Sequence, residues 1–254
     1  MNDFHIIIPA RYDSQRLPGK VLMEISGKPM LQYVYQNAVQ AGAESVTIAT
    51  EDERVASVAK SFGADVCMTS SIHRTGTERL SEAAEALSLE DDEIVIGLQA
   101  DEPFIDASVI RMLVDDLSQF HNVKMASLCE PITSASELFD KNVVKVLLNK
   151  RSHAIYFSRS VIPWDRERFT DEGNLPKTVE GYHRHVGLYG YRVKFLQEYM
   201  DWGICQAERL EKLEQLRVLW NGGRIHMRVV NKKIPSGVNT LEDLVRVRDK
   251  LKRV

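Results

Sequence analysis

The sequence predicts an α/β fold, a Rossmann-like mixed and mostly parallel sheet flanked by helices, with a smaller β-rich extension. Three observations carry that reading. Short β-branched runs alternate with helix-period segments four times within residues 1–120, the pattern of a parallel sheet wrapped by helices. Beyond residue 120 the strand-like runs crowd together, which predicts a mixed or antiparallel extension. No repeat, low-complexity tract or tether divides the 254 residues, so one continuous α/β domain over 1–254 is expected.

Each element has a local reason. Phe4–Ile8 is a short β-branched run ending at Pro9, the mark of a buried strand. Residues 11–20 are polar, with Pro18-Gly19 as a turn. Met30, Leu31, Val34, Ala38 and Ala41 repeat at a helical period over 29–41, and Gly42 follows as a C-cap. Ser45–Thr50 reads as the second strand. Asp52 caps a helix that runs to Phe62 and stops at Gly63. Val66–Met68 is a short third strand, Thr77–Leu87 a third helix, Ile94–Leu98 a fourth strand and Asp106–Phe120 a fourth helix. Further on, 125–128, 143–148, 154–157 and 187–191 are strand-like. Residues 165–182 read as a long polar loop able to close over a substrate. Glu208–Trp220 is expected to be one helix, with Leu210, Leu213, Leu216 and Trp220 as its packed face. A late strand over 225–230 and a closing helix over 241–251 complete the chain.

Composition narrows the function classes. The net charge of −3 (33 basic, 36 acidic residues) argues against a nucleic-acid partner. Cys67, Cys129 and Cys205 are far apart with no CxxC spacing, so neither a disulfide framework nor a cysteine zinc site is expected. Met1–Ala10 enters a strand directly rather than a secretory leader. No apolar stretch approaches the roughly 18–20 residues of a membrane span, so a cytoplasmic protein without membrane insertion is expected.

In parallel sheets, ligands sit at the carboxyl ends of strands, so the loops after strands one, three and four are the places to look. The first loop carries Arg11, Arg16 and Lys20 with Gly19, a cradle for an anion such as a triphosphate. Lys20 stands in a polar loop with little to pack against. Neither GxxxxGK[ST] nor GxGxxG occurs there, which demotes P-loop and dinucleotide chemistry. After the third strand, the hydroxyls of 69–78, His73 and the Gly76 turn suit a base and ribose, and Thr75 also reads as an N-cap. Gln99, Asp101 and Glu102 end the fourth strand, where a carboxylate facing an anion cradle suits Mg²⁺. Arg159, Arg166, His183, Arg184, His185, Tyr189 and Tyr191 form a second polar cluster.

These blocks resemble a known family. IIPARYDSQRLPGK (7–20), GKPM (27–30), TSSIHRTGTERL (69–80), LQADEP (98–103), YFSRSVIPWDR (156–166), RHVGLYGYR (184–192), LEKLEQLR (210–217) and GVNTLEDL (237–244) follow, in order, the pattern of the 3-deoxy-manno-octulosonate cytidylyltransferase (CMP-Kdo synthetase) family. The resemblance implies a nucleotidyltransferase-type fold. It also implies an enzyme joining CTP to an octulosonic sugar acid, with release of pyrophosphate, for lipopolysaccharide synthesis. Residues 1–120 would then mainly bind nucleotide, and 121–254 would bind sugar and dimerise. The resemblance implies catalytic roles for Arg11, Lys20 and Asp101. It assigns Arg11, Ser14, Arg16, Lys20, Ser71, Thr75 and Gln99 to the nucleotide. Gln99, Arg159, Arg166, His185, Tyr189, Glu214 and Gln215 go to the sugar. It further implies Mg²⁺ as cofactor, held by Asp101 and the residue at 239, and a homodimer.

Two positions depart from the family pattern. Ala100 stands where the family has Gly, which would strain the backbone if a positive φ were needed. Asn239 stands where an Asp helps hold a second metal, so a weakened second site is expected unless Glu242 or Asp243 substitutes. Two alternatives follow: a nucleotidyltransferase for another sugar, and a degenerate nucleotide-binding module. Ala100 and Asn239 favour the second, while Arg11, Lys20 and Asp101 weigh against it.

Overall fold

A computed structural model describes residues 4–14, 17–169 and 178–251. The elements in order are β1 (Phe4–Pro9), β2 (Glu24–Ile25), β3 (Lys28–Pro29), α1 (Met30–Gln40), β4 (Ser45–Thr50), α2 (Glu53–Ser61), β5 (Asp65–Met68), α3 (Gly76–Ala86), β6 (Ile94–Gly97) and α4 (Ala107–Gln119). There follow β7 (Met125–Pro131), α5 (Ala135–Phe139), β8 (Lys145–Leu148), β9 (Ala154–Ser158), β10 (His183–Arg192), α6 (Val193–Met200), α7 (Gln206–Glu211), α8 (Leu216–Trp220), β11 (His226–Val229) and α9 (Leu241–Leu251).

The main sheet runs β11-β7-β10-β6-β1-β4-β5, with β8 joining β10 and β9 joining β8. Strands β6, β1, β4 and β5 are mutually parallel, whereas β10 is antiparallel to both β6 and β7. This is the expected mixed, mostly parallel sheet with its β-rich extension. All six residues of β1 are buried. Ile6 and Ile8 face one core with α1, α2 and α4, while Ile7 faces the other with α3 and α6. A strand covered on both faces is mostly apolar, which is why Ile6–Ile8 form an unbroken run in the sequence.

The helix starts follow side-chain chemistry. Asp52 accepts from the Arg54 and Val55 N–H groups, Thr75 from that of Glu78, and Asp106 from that of Val109. Gly42 (φ 72°) and Gly63 (φ 81°) follow α1 and α2 in the left-handed region that ends helices. Ala100 is buried and is not among the described non-glycine residues with positive φ. The alanine therefore carries no backbone strain there.

One expected element is overturned. The helix over 208–220 is two short helices, α7 and α8, broken at Lys212, whose φ of 54° is left-handed. Leu213 and Leu216 are buried as expected, but Leu210 and Trp220 are 76% and 63% exposed, so the supposed apolar stripe is not one packed face. The break turns residues 213–215 inward. Three short elements, the β2/β3 hairpin, α5 and α6, were not anticipated. Of the long loop at 165–182, residues 170–177 lie outside the described residues. Its flanks are packed, with Phe169 and Tyr182 buried against Ile132 and Leu138. Among the described residues, no helix is long and apolar enough to cross a membrane.

Candidate active site

β1 lies between β4 and β6, so the chain leaves it in both directions and a crevice opens at the carboxyl ends of these strands. A cleft of about 880 Å³ occupies that crevice. The loop after β1 supplies Arg11, Ser14 and Lys20; the segment after β5 supplies His73, Arg74 and Thr75; the end of β6 supplies Gln99 and Asp101. From the second half of the chain come Tyr189, Glu208, Arg209, Lys212, Glu214, Gln215 and Asn239.

The floor is an ion pair. Lys20 Nζ bonds Asp101 Oδ2 and also donates to the Val238 carbonyl at 3.0 Å. The Lys20 side chain is 12% exposed and that of Asp101 23%, so Lys20 is held in place rather than loose in a polar loop as expected. It ties the β1 loop, the end of β6 and the 237–239 strap into one unit. Val238 N–H reaches the Asp101 carbonyl at 2.8 Å. A Cβ on Gly237 would lie 2.6 Å from Glu102 Oε1, so only glycine lets the strap cross so closely. Behind Asp101, the Glu102 carboxyl is pushed up to about 8, first by burial and then by the Asp101 charge. Asp101, paired with Lys20, is the carboxylate of the two that faces the cleft.

The wall formed by the segment after β5 is anchored from beneath. Ser70 N–H donates to both Glu82 oxygens (3.1 and 2.9 Å), and His73 bonds the same carboxylate. Burial acts to raise the Glu82 carboxyl, but these partners outweigh it and hold it below its ordinary value. Arg79 pairs with Glu51 at 2.7 Å and bonds Thr69. At the start of α3, a Cβ on Gly76 would sit 3.0 Å from Gln99 Nε2, so the absent side chain leaves room for that amide.

On the opposite wall, the turn after Lys212 carries Glu214 and Gln215. Thr77 Oγ1 donates to Glu214 Oε1 at 3.0 Å. Burial raises the Glu214 carboxyl, against the Thr77 and Thr75 hydrogen bonds and the Arg217 charge. Glu214 Oε2 and Gln215 Nε2 are buried without a hydrogen-bond partner among the described residues. Such orphaned groups in a cleft wall are what a hydroxyl-rich ligand satisfies. Beneath them, Arg217 makes a two-pronged pair with Glu208 (2.8 and 2.6 Å) and lies 4.4 Å from the Tyr199 ring centroid.

Ten of the expected site residues thus line one cleft: Arg11, Ser14, Lys20, Thr75, Gln99, Asp101, Tyr189, Glu214, Gln215 and Asn239. Four described residues do not. Ser71 and Arg166 are exposed outside it. Arg159 spends its guanidinium on the Glu211 and Lys141 carbonyls (2.8 and 3.1 Å), fastening the end of α7 to β9. His185 packs behind the cleft, between Phe157 and Tyr189. Its Nε2 meets Ser127 Oγ at 3.0 Å, and the same hydroxyl lies 3.2 and 2.9 Å from the carbonyls of Val186 and Leu188. These carbonyls flank the bulge where β10 slips register between Val186 and Tyr189, which brings Gly187 and Tyr189 to the cleft. Arg16 lies outside the described residues.

Sequence reasoning missed Glu208, Arg209, Lys212, Arg74 and Arg79 as cleft residues. Arg74 and Arg79 stand inside the 69–80 block and Lys212 inside the 210–217 block, which was a signal for each; Glu208 and Arg209 had none. Glu208, Arg209 and Lys212 were masked by the assumption of one straight helix.

The burial of His185 carries a testable consequence. Burial, with Arg184 nearby, pushes its imidazole from 6.5 down to about 3. The unfolded chain takes up a proton near pH 6.5 that the folded one refuses until about pH 3. Stability is therefore intact above that window and falls with acidification, by up to ~1.4 kcal/mol per pH unit. The His185→Gln protein should lose less of its urea midpoint between pH 7.5 and 5 than wild type. Parallel losses would show that His185 is not a buried neutral imidazole.

The parallel core, the switch-point crevice and the cation-rich loop after β1 define a nucleotidyltransferase-type α/β protein. The chain belongs to the cytidylyltransferase family, whose profile matches residues 5–234. It is 58% identical to a 3-deoxy-manno-octulosonate cytidylyltransferase of Coxiella burnetii (strain RSA 493 / Nine Mile phase I), over 97% of this chain and 98% of that protein. It is 52% identical to the enzyme of that name from Haemophilus influenzae (strain PittEE), over 96% and 97%. A solved CMP:2-keto-3-deoxy-manno-octonic acid synthetase complexed with CTP superposes with a TM-score of 0.88 at 40% identity, covering 99% of each chain. A cytidylyltransferase structure from Leptospira borgpetersenii, at 16% identity and a TM-score of 0.62, shares the fold.

Proposed function

We propose that this chain transfers CMP from CTP to 3-deoxy-manno-octulosonic acid, releasing pyrophosphate, and so supplies the activated sugar for lipopolysaccharide synthesis. One observation supports it above the others. A single cleft joins the Arg11–Lys20–Asp101 anion site to the orphaned polar groups of Glu214 and Gln215. The first suits a triphosphate and the second a polyhydroxylated partner. The sugar's anomeric hydroxyl attacks the α-phosphorus in line, and pyrophosphate leaves. Catalysis is mainly positioning and charge neutralisation. Arg11 and Lys20 offset phosphate charge. Thr75 and Gln99 orient the nucleotide, and Tyr189, Glu214 and Gln215 orient the sugar. No side chain in the cleft is assigned as a dedicated general base.

The donor set suits Mg²⁺. Asp101 offers a carboxylate and Asn239 an amide oxygen, both hard ligands that phosphate oxygens and water would complete. When bound, Mg²⁺ would add positive charge against the phosphates. Asp243 is no substitute for the missing carboxylate at 239. Its Oδ2 accepts from the Asn239 and Thr240 N–H groups (2.9 and 3.0 Å), and Oδ1 pairs with Arg246.

A pyrophosphate-release assay crossing four nucleoside triphosphates with several sugar acids tests the proposal. Activity is expected only with CTP, an octulosonic acid and a divalent cation together; equal rates with ATP, or activity in excess chelator, overturn it. Asn239→Asp adds a charge at the metal position, worth up to ~4 kcal/mol at about 4 Å and an effective dielectric near 20, before desolvation. At saturating CTP the variant should reach half-maximal rate at lower Mg²⁺ than wild type. An unchanged or higher requirement removes Asn239 from the metal site. The proposal extends to a cytoplasmic homodimer, with the exposed Ile155 and Tyr156 of β9 as candidate contacts. Sedimentation of wild type against Ile155→Glu tests the dimer.

A further inference from the structure

At the amino ends of the parallel strands, opposite the cleft, three side chains converge without a role in the proposed reaction. His5 stands near the start of β1, Glu44 just before β4 and Glu93 just before β6. One ligand atom from each lies within 4.8 Å of the other two. The His5 side chain is 6% exposed. Its Nδ1 meets Ser45 Oγ at 2.8 Å, while Nε2 is buried with no hydrogen-bond partner among the described residues. That nitrogen faces Glu93 Oε1 at 3.5 Å and Glu44 Oε2 at 3.9 Å. The other Glu93 oxygen is occupied by the Glu90 N–H at 2.6 Å. Among the described residues, no lysine or arginine pairs with either carboxylate; Lys194 pairs instead with Asp91.

We propose that His5, Glu44 and Glu93 form a binding site for a borderline divalent cation of the Zn²⁺ type, separate from the catalytic cleft. The imidazole and two carboxylates are the donor types such an ion takes, with a fourth position open to water on the side of Glu44. Around a tetrahedral Zn²⁺ with bonds near 2.0–2.2 Å, ligand atoms sit roughly 3.3–3.6 Å apart. The His5–Glu93 spacing already matches. The His5–Glu44 spacing closes by a small rotation of an exposed side chain. Ser45 supplies the outer contact that metal-bound histidines usually make: with Nδ1–H donating to its hydroxyl, the Nε2 lone pair is left for the ion. The site lies roughly 15 Å from the cleft along β1 and clips together the starts of three central strands. Mg²⁺, which prefers six oxygen ligands, is a poor match.

Calorimetric titration of the chelator-treated full chain with Zn²⁺, in excess Mg²⁺ to hold the catalytic site, tests this. One Zn²⁺ per chain is expected, with a rise in melting temperature. Glu44→Gln and Glu93→Gln, both at accessible side chains, should weaken that binding by on the order of 10–100-fold and lose the thermal gain, while the metal-free melting temperature stays near wild type. His5→Gln should abolish binding. Wild-type protein that binds no Zn²⁺ under these conditions overturns the proposal, and so do variants that bind it as wild type does.

Discussion

Lys20→Ala is expected to lower turnover by about 30- to 1,000-fold, the equivalent of ~2–4 kcal/mol for loss of a charged phosphate partner in a partly closed site. It should also destabilise the protein. The ammonium bonds both Asp101 and the Val238 carbonyl, and its removal leaves a poorly solvated carboxylate beside Glu102. Breaking a fully buried pair costs about 3–5 kcal/mol; with Asp101 partly exposed, roughly 1–3 kcal/mol is the expectation here. The two effects separate in a second variant. Lys20→Ala with Asp101→Asn removes the stranded charge, so part of the melting temperature should return, while turnover stays low. Full turnover in Lys20→Ala would exclude Lys20 from the phosphate site.

The legible part of this molecule is the part where one side chain decides one local feature. β1 and β6 are buried on both faces, so Ile6–Ile8 and Ile94–Ile96 had to read as unbroken apolar runs. Asp52, Thr75 and Asp106 announce helix starts because each side chain satisfies an N–H within three residues of itself. The anion loop was readable for the same reason, since its cations follow directly on a buried strand. What stayed hidden depends on distant partners. The leucine period runs without interruption through Lys212, and no local rule forbids a helix there. The break follows from what the two halves engage. Glu211 is drawn to Ser158 and Arg159 of the β9 end, while Glu208 is drawn to Arg217.

The same limit explains why two residues expected on the sugar side do not line the cleft. Arg159 and His185 stand inside family blocks, but the bonds that absorb them come from Glu211, Lys141 and Ser127, which no spacing in the sequence connects to them. Ser127, 0% exposed, serves the bulge of β10, and a lone serine in a strand carries no sign of that. A block of the pattern can therefore line the cleft at some positions while its most polar members bond elsewhere in the fold.

Arg217→Met is expected to give the largest loss of stability. The guanidinium is 3% exposed and the Glu208 side chain 9%, so the variant leaves a charge almost fully desolvated. That costs about 3–5 kcal/mol, or roughly 6–20 °C in melting temperature for a chain of this size. The pair also links α7 to α8 across the 212–215 turn, and the Arg217 N–H closes that turn onto the Glu214 carbonyl at 3.1 Å. Loosening it should displace Glu214 and Gln215, so the Michaelis constant for the sugar acid should rise well above that for CTP. The loops after β1 and β5, assigned above to CTP in the proposal, rest on Lys20–Asp101 and Arg79–Glu51, which the substitution does not touch. Glu208→Met with Arg217→Met replaces the pair by apolar volume and should recover much of the melting temperature, because a buried ion pair is often no more stabilising than a hydrophobic one. The sugar-acid constant should remain high in that double variant, since Glu208 itself borders the cleft. Steady-state kinetics at a temperature where both variants are folded decides the matter. If only the CTP constant rises, the turn belongs to the nucleotide side and the division of the cleft proposed here is wrong.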